Sequence, residues 1–119
     1  MTQVEALADV VHVHRDIGAS IASGSFRTAG MLVAPCSIKS LSGIVHSYND
    51  NLLTRAADVC LKERRPLVLL VRETPLHLGH IELLGQAVRY GAVVLPPMPA
   101  FYNRPQSIDD IVNHTVGKA

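Results

Sequence analysis

Side chains that could take part in chemistry follow three apolar runs of the sequence. The stretch 37–40 follows the first run, Arg72 and Glu73 follow the second, and the proline-rich segment 96–105 follows the third. In an open sheet of parallel strands, ligands bind outside the carboxyl ends of the strands, where such loops converge. The pattern therefore predicts one site at that edge, suited to a phosphorylated, partly aromatic ligand.

The first of these loops opens a predicted helix. Ser37 and Ser40 stand at its start, and Lys39 between them adds positive charge. Free N–H groups at a helix N-terminus attract anions, so this turn is a candidate phosphate site. Serine at such a position is more often only an N-cap that satisfies the helix. The sequence alone leaves both interpretations open.

The second loop begins with a charge pair at the end of an apolar strand. Arg72 and Glu73 are predicted to lie where water is partly excluded, which is costly for charges without a partner. The two side chains either pair with each other to fix the loop or belong to a functional site. Glu73 is of the type that serves general acid–base catalysis.

Two further cations lie on one predicted helix. Arg55 and Lys62 are seven residues apart, which is two helical turns, so they share a face and could hold a phosphate together. The alternative is a solvated face on which Asp58 and Lys62 pair at i,i+4.

Two histidines and a cysteine could indicate a metal site or a catalytic nucleophile, but we predict neither. His77 and His80 lack a third ligand at a recognisable spacing, so no metal site is expected. Cys36 precedes a helix start, but no histidine is placed in the sequence to activate it. A buried, inert thiol is the expectation for Cys36.

The elements that must position these residues alternate between apolar strands and amphipathic helices. Strands are predicted at 30–34, 67–71 and 92–95, and helices from 38, from 52, over 76–90 and after Ser107. Apolar strands joined by helices favour a parallel sheet with helices on both faces. We therefore expect one α/β domain over 1–119.

Composition narrows the classes of function. The chain has 119 residues, of which 48% are hydrophobic and 18% charged, as in ordinary folded domains. A net charge of +1 without a long basic run argues against a nucleic-acid partner. The apolar runs are too short to span a bilayer, no signal peptide is visible, and both cysteines have apolar neighbours. These features predict a cytoplasmic protein without a disulfide.

Six segments together resemble successive signatures of the UbiX flavin prenyltransferase family. They read ASGSF at 22–26, APCSIKSL at 34–41, NLLTRAADV at 51–59, LKERRPLV at 61–68, RETPLH at 72–77 and PPMPAFY at 96–102. They occur in the family's order and cover nearly the whole chain. The family also includes small subunits of hydroxyarylic and phenolic acid decarboxylases.

This resemblance implies a Rossmann-like, flavodoxin-like fold that binds FMN. It implies a homo-oligomer, commonly a dodecamer, with its sites at subunit contacts. The implied reaction joins a dimethylallyl group from dimethylallyl phosphate to N5 and C6 of reduced FMN, without a metal. The prenylated FMN then serves UbiD-type decarboxylases.

The resemblance also implies roles for individual positions. The positions that correspond to FMN contacts are Ser37, Ile38, Lys39, Ser40 and Arg72. The positions that handle the prenyl phosphate and its departure are Lys62, Glu73 and Tyr102, with Glu73 as the proton-transfer group. Arg55 lies within a matching signature but receives no specific role.

Two departures from the family pattern set further expectations. Lys118 stands where the family has a phosphate-binding arginine, which keeps the charge but loses the bidentate fork. The family's opening strand, its turn of the Gly-x-Ser-Gly-Ala kind and its first helix are not found before Val4. The domain is therefore expected to be truncated at its N-terminus and to bind FMN poorly by itself.

Two alternative functions follow from the same resemblance. The first is a non-catalytic or truncated accessory subunit of a hydroxyarylic or phenolic acid decarboxylase. The second is membership of the wider group of flavin-dependent cysteine decarboxylases. We rank the second last, because that group's Pro-Ala-Ser-Ala-Asn-type loop is replaced by APCS at 34–37.

Overall fold

A computed structural model describes residues 8, 20–24, 28–97, 107–109, 113 and 116, and the structural statements below concern these residues. The strands are β1 (Met31–Cys36), β2 (Leu67–Val71) and β3 (Val93–Val94), and the helices are α1 (Ile38–Val45), α2 (Leu52–Lys62) and α3 (Leu78–Arg89). A single 3-10 turn covers Ser20–Ala22. The strands and helices predicted between 30 and 95 are confirmed, with ends shifted by two residues at most. Of the predicted last helix, Ile108, Asp109, Asn113 and Val116 are helical.

The three strands form a parallel sheet in the order β1-β2-β3. Helices α1 and α2 connect β1 to β2, and α3 connects β2 to β3. All three helices pack on the face of the sheet that carries Val33 and Leu69, as right-handed crossovers that advance in one direction require. Of the predicted helices on both faces, the described residues therefore show those on one face. On the opposite face Leu32, Val68 and Val93 lie side by side across the three strands. The outer two, Leu32 and Val93, are 52% and 56% exposed.

A bulge in β1 aligns the end of that strand with the end of β2. Val33 pairs with Leu69, and Cys36 pairs with Val71, so β1 has one extra residue between the two pairs. Pro35 lies in this interval and cannot donate a ladder hydrogen bond, which is typical of a bulge. The extra residue lets both Val33 and Cys36 face the core, where each is nearly fully buried.

The core lies between the sheet and the three helices. Its central residues are fully or almost fully buried, and they are Leu41 and Ile44 of α1, Ala57 of α2, Leu67 and Leu69 of β2, and Ala87 of α3. The alternation of buried and half-buried residues in β2 shows that only one face of the strand is fully covered in the described structure. None of the described helices is both long and apolar enough to cross a bilayer.

Helices α1, α2 and α3 end in the same arrangement, the Schellman motif. After α2, Arg65 N–H donates to the Cys60 carbonyl at 2.8 Å and Arg64 N–H donates to the Leu61 carbonyl at 3.2 Å. The motif needs a left-handed residue just past the helix. The residues in that position are Ser47 after α1 (φ 52°), Arg64 after α2 (φ 57°) and Gly91 after α3 (φ 107°).

We expect Arg64→Gly to raise the free energy of unfolding by about 0.5–1 kcal/mol. The left-handed conformation costs a non-glycine residue about 1–2 kcal/mol, and Arg64→Gly removes this cost. Glycine also has more conformational freedom in the unfolded chain, which offsets part of the stabilisation. Urea denaturation midpoints measure the change. Ser47→Gly is the matched control: it removes the same strain but also the Ser47 Oγ hydrogen bond to Asp58, so it should not stabilise. An unchanged or lower midpoint for Arg64→Gly contradicts the prediction.

Candidate functional site

The carboxyl edge of the sheet brings the first two candidate loops together. Ser37 follows Cys36, Arg72 follows Val71, and Cys36 and Val71 are paired across the two strands. The third loop starts at the same edge, since Leu95 N–H donates to the Leu69 carbonyl at 2.9 Å. The predicted convergence of three loops is therefore confirmed for their described parts. Tyr102 lies outside the described residues.

The turn at Ser37–Ser40 is a well-formed helix start. Ser37 is the N-cap of α1, and its Oγ accepts a hydrogen bond from the Ser40 N–H at 3.1 Å. The two hydroxyl oxygens are also 3.1 Å apart, with the Ser37 hydroxyl donating to Ser40. The first N–H groups of a helix have no partner within the helix, so capping by Ser37 still leaves the turn able to hold an anion. The exposed Lys39 adds positive charge there.

A cavity of about 440 Å³ lies where the second and third loops meet, and residues 37–40 are not part of its lining. Its walls are largely apolar, with Arg72 and Glu73 at the mouth, and its lining residues are Val71, Arg72, Glu73, Thr74, Leu76, Leu84, Pro96 and Pro97. Flat or prenyl-like apolar groups suit such walls, and the charged residues can fix the orientation of a ligand.

Arg72 and Glu73 differ from the sequence expectation in their surroundings. Both are exposed in this chain, so the prediction that they lie where water is excluded was wrong for the chain by itself. They do not pair with each other either: the ion pair recorded among the described residues joins Lys62 and Glu63. The loop is therefore not fixed by an Arg72–Glu73 pair, and both side chains are available to a ligand.

Lys62 lies at the other end of the sheet. It is the last residue of α2, and β2 starts five residues later and runs about 16 Å before Arg72 follows it. The Lys62 side chain is 64% exposed, and its Nζ lies 3.7 Å from Glu63 Oε1. One copy of the chain therefore does not bring Lys62 to the edge that holds Arg72 and Glu73. Lys118, like Tyr102, is outside the described residues.

The alternative pairing of Asp58 with Lys62 was wrong. Asp58 instead accepts hydrogen bonds from Ser47 Oγ at 2.9 Å and from Asn49 Nδ2 at 3.3 Å. These bonds tie the loop between α1 and α2 to α2. Arg55 and Lys62 remain exposed on α2, two turns apart.

His77 and His80 have a structural role that the sequence analysis missed. Each accepts, at Nδ1, a hydrogen bond from the backbone N–H of the other, at 3.3 and 3.4 Å, and their rings stack with centroids 3.6 Å apart. This is a capping box in which imidazoles replace the usual hydroxyl and carboxylate. The sequence signal for this cap was a pair of hydrogen-bonding side chains three residues apart, just before an apolar run. No group of three potential ligands that could hold a metal occurs within the described ranges.

Cys36 is buried, and burial raises its pKa to about 11. The ordinary pKa of a cysteine thiol is 9.0. Between pH 9.0 and a pH of about 11, the Cys36 thiol therefore loses its proton in the unfolded chain and keeps it in the folded chain. The folded state then binds more protons, so stability should fall as the pH rises through this range. We expect the urea midpoint to drop between pH 8 and pH 10, and to drop less in Cys36→Ala. Equal drops in the two proteins would contradict the assignment.

Iodoacetamide should leave Cys36 unmodified in the folded chain at neutral pH.

Comparison with known proteins identifies the kind of domain. A family model described as Flavoprotein matches residues 2–119. The chain is 70% identical over 118 residues to the flavin prenyltransferase UbiX of Escherichia coli strain K12 and 63% identical to that of Thauera aromatica. These matches take in 99% of the chain and 62% and 61% of the relatives, so the chain spans about three-fifths of their length.

Solved structures agree. The crystal structure of AnUbiX in complex with FMN and dimethylallyl pyrophosphate superposes with a TM-score of 0.96 at 50% identity, over 98% of this chain and 62% of that one. A dodecameric FMN-dependent Ubix-like decarboxylase from Escherichia coli O157:H7 gives 0.96 at 54% identity, over 98% and 64%. Phenylacrylic acid decarboxylase from Aquifex aeolicus gives 0.88 at 45% identity, over 98% and 70%. The predicted flavodoxin-like α/β fold is confirmed.

Proposed function

The chain belongs to the Flavoprotein family, and on that premise we propose that it works as a flavin prenyltransferase of the UbiX kind. The observation that supports this most directly is the carboxyl edge of the sheet. There the serine turn that starts α1 adjoins the loop of Arg72 and Glu73. That loop lines a largely apolar cavity of about 440 Å³. The proposed reaction transfers a dimethylallyl group from dimethylallyl phosphate to reduced FMN.

The side chains at this edge fit FMN. The Ser40 hydroxyl and the backbone N–H groups of Ile38 and Lys39 can hold the polar edge of a flavin or its phosphate, next to the Ser37 cap. The Arg72 guanidinium supplies a charge-assisted donor. The apolar walls of the cavity suit a flat ring and a prenyl chain. When bound, reduced FMN supplies the ring atoms that accept the prenyl group.

Glu73 is the proposed proton acceptor. In the transfer, the prenyl carbon would exchange its bond to the phosphate oxygen for a bond to a ring atom of reduced FMN. The electron pair of the broken bond would go to the phosphate, and the ring atom would lose a proton. Glu73 lies at the cavity mouth, exposed and without an ion-pair partner recorded among the described residues. Its carboxylate is free to accept that proton and to return it to the departing phosphate.

Lys62 is proposed to act in the site of a second copy of the chain. Within one copy, the length of β2 separates it from Arg72 and Glu73. One solved relative is a dodecamer, and the family resemblance implies sites at subunit contacts. Both support a site to which two copies of the chain contribute residues. There, the Lys62 ammonium would stabilise the charge that grows on the leaving phosphate. Tyr102 and Lys118 are proposed as further phosphate ligands on the resemblance alone.

The proposal includes the protein's surroundings. We propose a cytoplasmic homo-oligomer, commonly a dodecamer in the family, that passes prenylated FMN to a UbiD-type decarboxylase. The second candidate is a non-catalytic accessory subunit of a hydroxyarylic or phenolic acid decarboxylase. It is supported by the solved relatives whose descriptions name a decarboxylase.

One assay separates these functions. The purified chain is mixed with FMN, dithionite and dimethylallyl phosphate, and the flavin is followed by absorbance and by mass spectrometry. A flavin that gains the mass of the prenyl group supports the transferase. Bound but unchanged FMN rejects it in favour of the accessory role. The absence of FMN binding rejects both functions for this chain by itself and agrees with the expectation that it binds FMN poorly.

A further inference from the structure

The residues just after α2 are held rigidly. The Schellman motif fixes the backbone of Arg65 through its hydrogen bond to the Cys60 carbonyl, and Pro66 follows directly. Lys62 is the last residue of the same helix. The base of the Arg65 side chain is therefore fixed relative to the base of Lys62.

Arg65 connects this helix end to a distant part of the chain. Its Nη2 donates a hydrogen bond of 2.8 Å to the carbonyl oxygen of Gly24, which lies 41 residues earlier. The contact is partly buried, and a guanidinium donor makes it a charge-assisted hydrogen bond. Gly24 adjoins the 3-10 turn Ser20–Ala22, so the bond holds this segment onto the end of α2.

Gly24 in turn lies directly against the Lys62 and Glu63 side chains. A Cβ atom at Gly24 would collide with the Glu63 carboxylate and would lie 3.3 Å from Lys62 Nζ. Glycine is thus the residue that lets the segment approach the ion pair of Lys62 and Glu63 so closely. The segment covers one side of the Lys62 ammonium and leaves its other side exposed.

We propose that Arg65 is a positioning residue for Lys62. By holding the Gly24 carbonyl, the Arg65 guanidinium keeps the segment 20–24 against the Lys62–Glu63 pair and limits the directions in which the Lys62 ammonium can point. This inference rests on the proposed function, in which Lys62 meets the prenyl phosphate in a second copy. It adds that the direction of Lys62 is set within its own copy, before the two copies meet.

The test compares Arg65→Gln with Arg64→Gln, which removes an exposed cation one residue away. In the assay above, Arg65→Gln should raise the KM for dimethylallyl phosphate about tenfold, the equivalent of one weakened charge-assisted hydrogen bond. It should change kcat less, and FMN affinity should stay unchanged because neither Arg65 nor Lys62 is among the proposed FMN contacts. Arg65→Lys keeps a cationic hydrogen-bond donor, so its KM should lie between those of the native chain and Arg65→Gln.

Gly24→Ala provides an independent route to the same result. The added methyl group meets the flexible end of the Glu63 side chain, so the chain can still fold while the ion pair is displaced. The KM should rise as in Arg65→Gln, although Arg65 is intact. An equal rise in Arg64→Gln, or no rise in Arg65→Gln and Gly24→Ala, overturns the proposal.

A readout that does not need turnover separates this inference from the proposed function. Acetylation of lysines by an N-hydroxysuccinimide ester, followed by mass spectrometry, reports how freely Lys62 reacts relative to Lys39. Arg65→Gln should raise this ratio, and Arg64→Gln should leave it unchanged. If the wild-type chain makes no prenylated FMN but the ratio rises, the positioning of Lys62 stands and the proposed reaction fails. If the ratio is the same in both variants, Arg65 does not position Lys62.

Discussion

Glu73→Gln is expected to lower the rate of prenyl transfer by about 10²–10⁴-fold, the usual contribution of a general acid–base group. Glutamine keeps the size and hydrogen-bonding reach of the side chain but cannot accept the proton. Single-turnover mixing of reduced FMN with dimethylallyl phosphate measures the rate. FMN affinity, measured by the quenching of flavin fluorescence, should stay the same because Ser37–Ser40 and Arg72 are intact.

Glu82→Gln is the matched control for Glu73→Gln. Glu82 is an exposed glutamate on α3 that does not line the cavity beside Arg72. Its replacement removes the same charge from the surface and should leave the rate within a factor of about two, as surface substitutions usually do. A fully active Glu73→Gln protein, or equal losses in both variants, would show that Glu73 does not transfer the proton.

Mixed oligomers should recover activity that neither parent has. Lys62→Met removes the ammonium that stabilises the leaving phosphate and Glu73→Gln removes the proton acceptor, so each protein alone should be nearly inactive. If each site takes Lys62 from one copy and Glu73 from another, random mixing restores both native residues in roughly a quarter of the sites. Co-expression of the two variants with different tags, followed by tandem purification, gives the mixed species.

The same experiment distinguishes a shared site from a site within one copy. If Lys62 and Glu73 acted in the same copy, every chain in the mixture would lack one of them, and the mixture would stay inactive. Each variant co-expressed with a differently tagged copy of itself controls for the effects of purification. A mixture no more active than these controls contradicts the role of Lys62 in a second copy.

The local pattern of the sequence predicted most of the fold. Leu67–Val71 is an unbroken apolar run between Pro66 and Arg72, and it forms β2 without any shift of its ends. Serine at position 37 was expected to act as an N-cap, and its Oγ accepts the backbone hydrogen bond of Ser40. These features depend on neighbouring residues, so periodicity and capping rules are sufficient to predict them.

Features that depend on side-chain geometry were not predictable in the same way. The imidazole capping box of His77 and His80 uses residues that are uncommon in that role, so a rule based on serine and glutamate overlooks it. The left-handed Arg64 also occupies a position where glycine is expected. In both cases the hydrogen bonds of a helix end outweigh the preference of the residue type.

The candidate site was predictable in part, for a topological reason. Because parallel strands place their carboxyl ends together, sequence order alone predicted that the turn at Ser37 and the loop at Arg72 would meet. The location of Lys62 follows from its place at the end of a helix that returns to the start of the next strand. Spacing along the chain does not reveal that this position is remote from Glu73 within one copy.

The pairing of Cys36 with Val71 restricts how this edge can diverge among related proteins. Deleting the extra residue of the bulge would restore regular alternation and leave Val33 and Cys36 opposite Leu69 and Val71, so the serine turn would keep its place. A change of two residues would preserve the buried face and shift the serine turn by about 7 Å relative to Arg72. The bulge therefore absorbs a change of one residue in β1, whereas the spacing between the serine turn and Arg72 changes in steps of two residues.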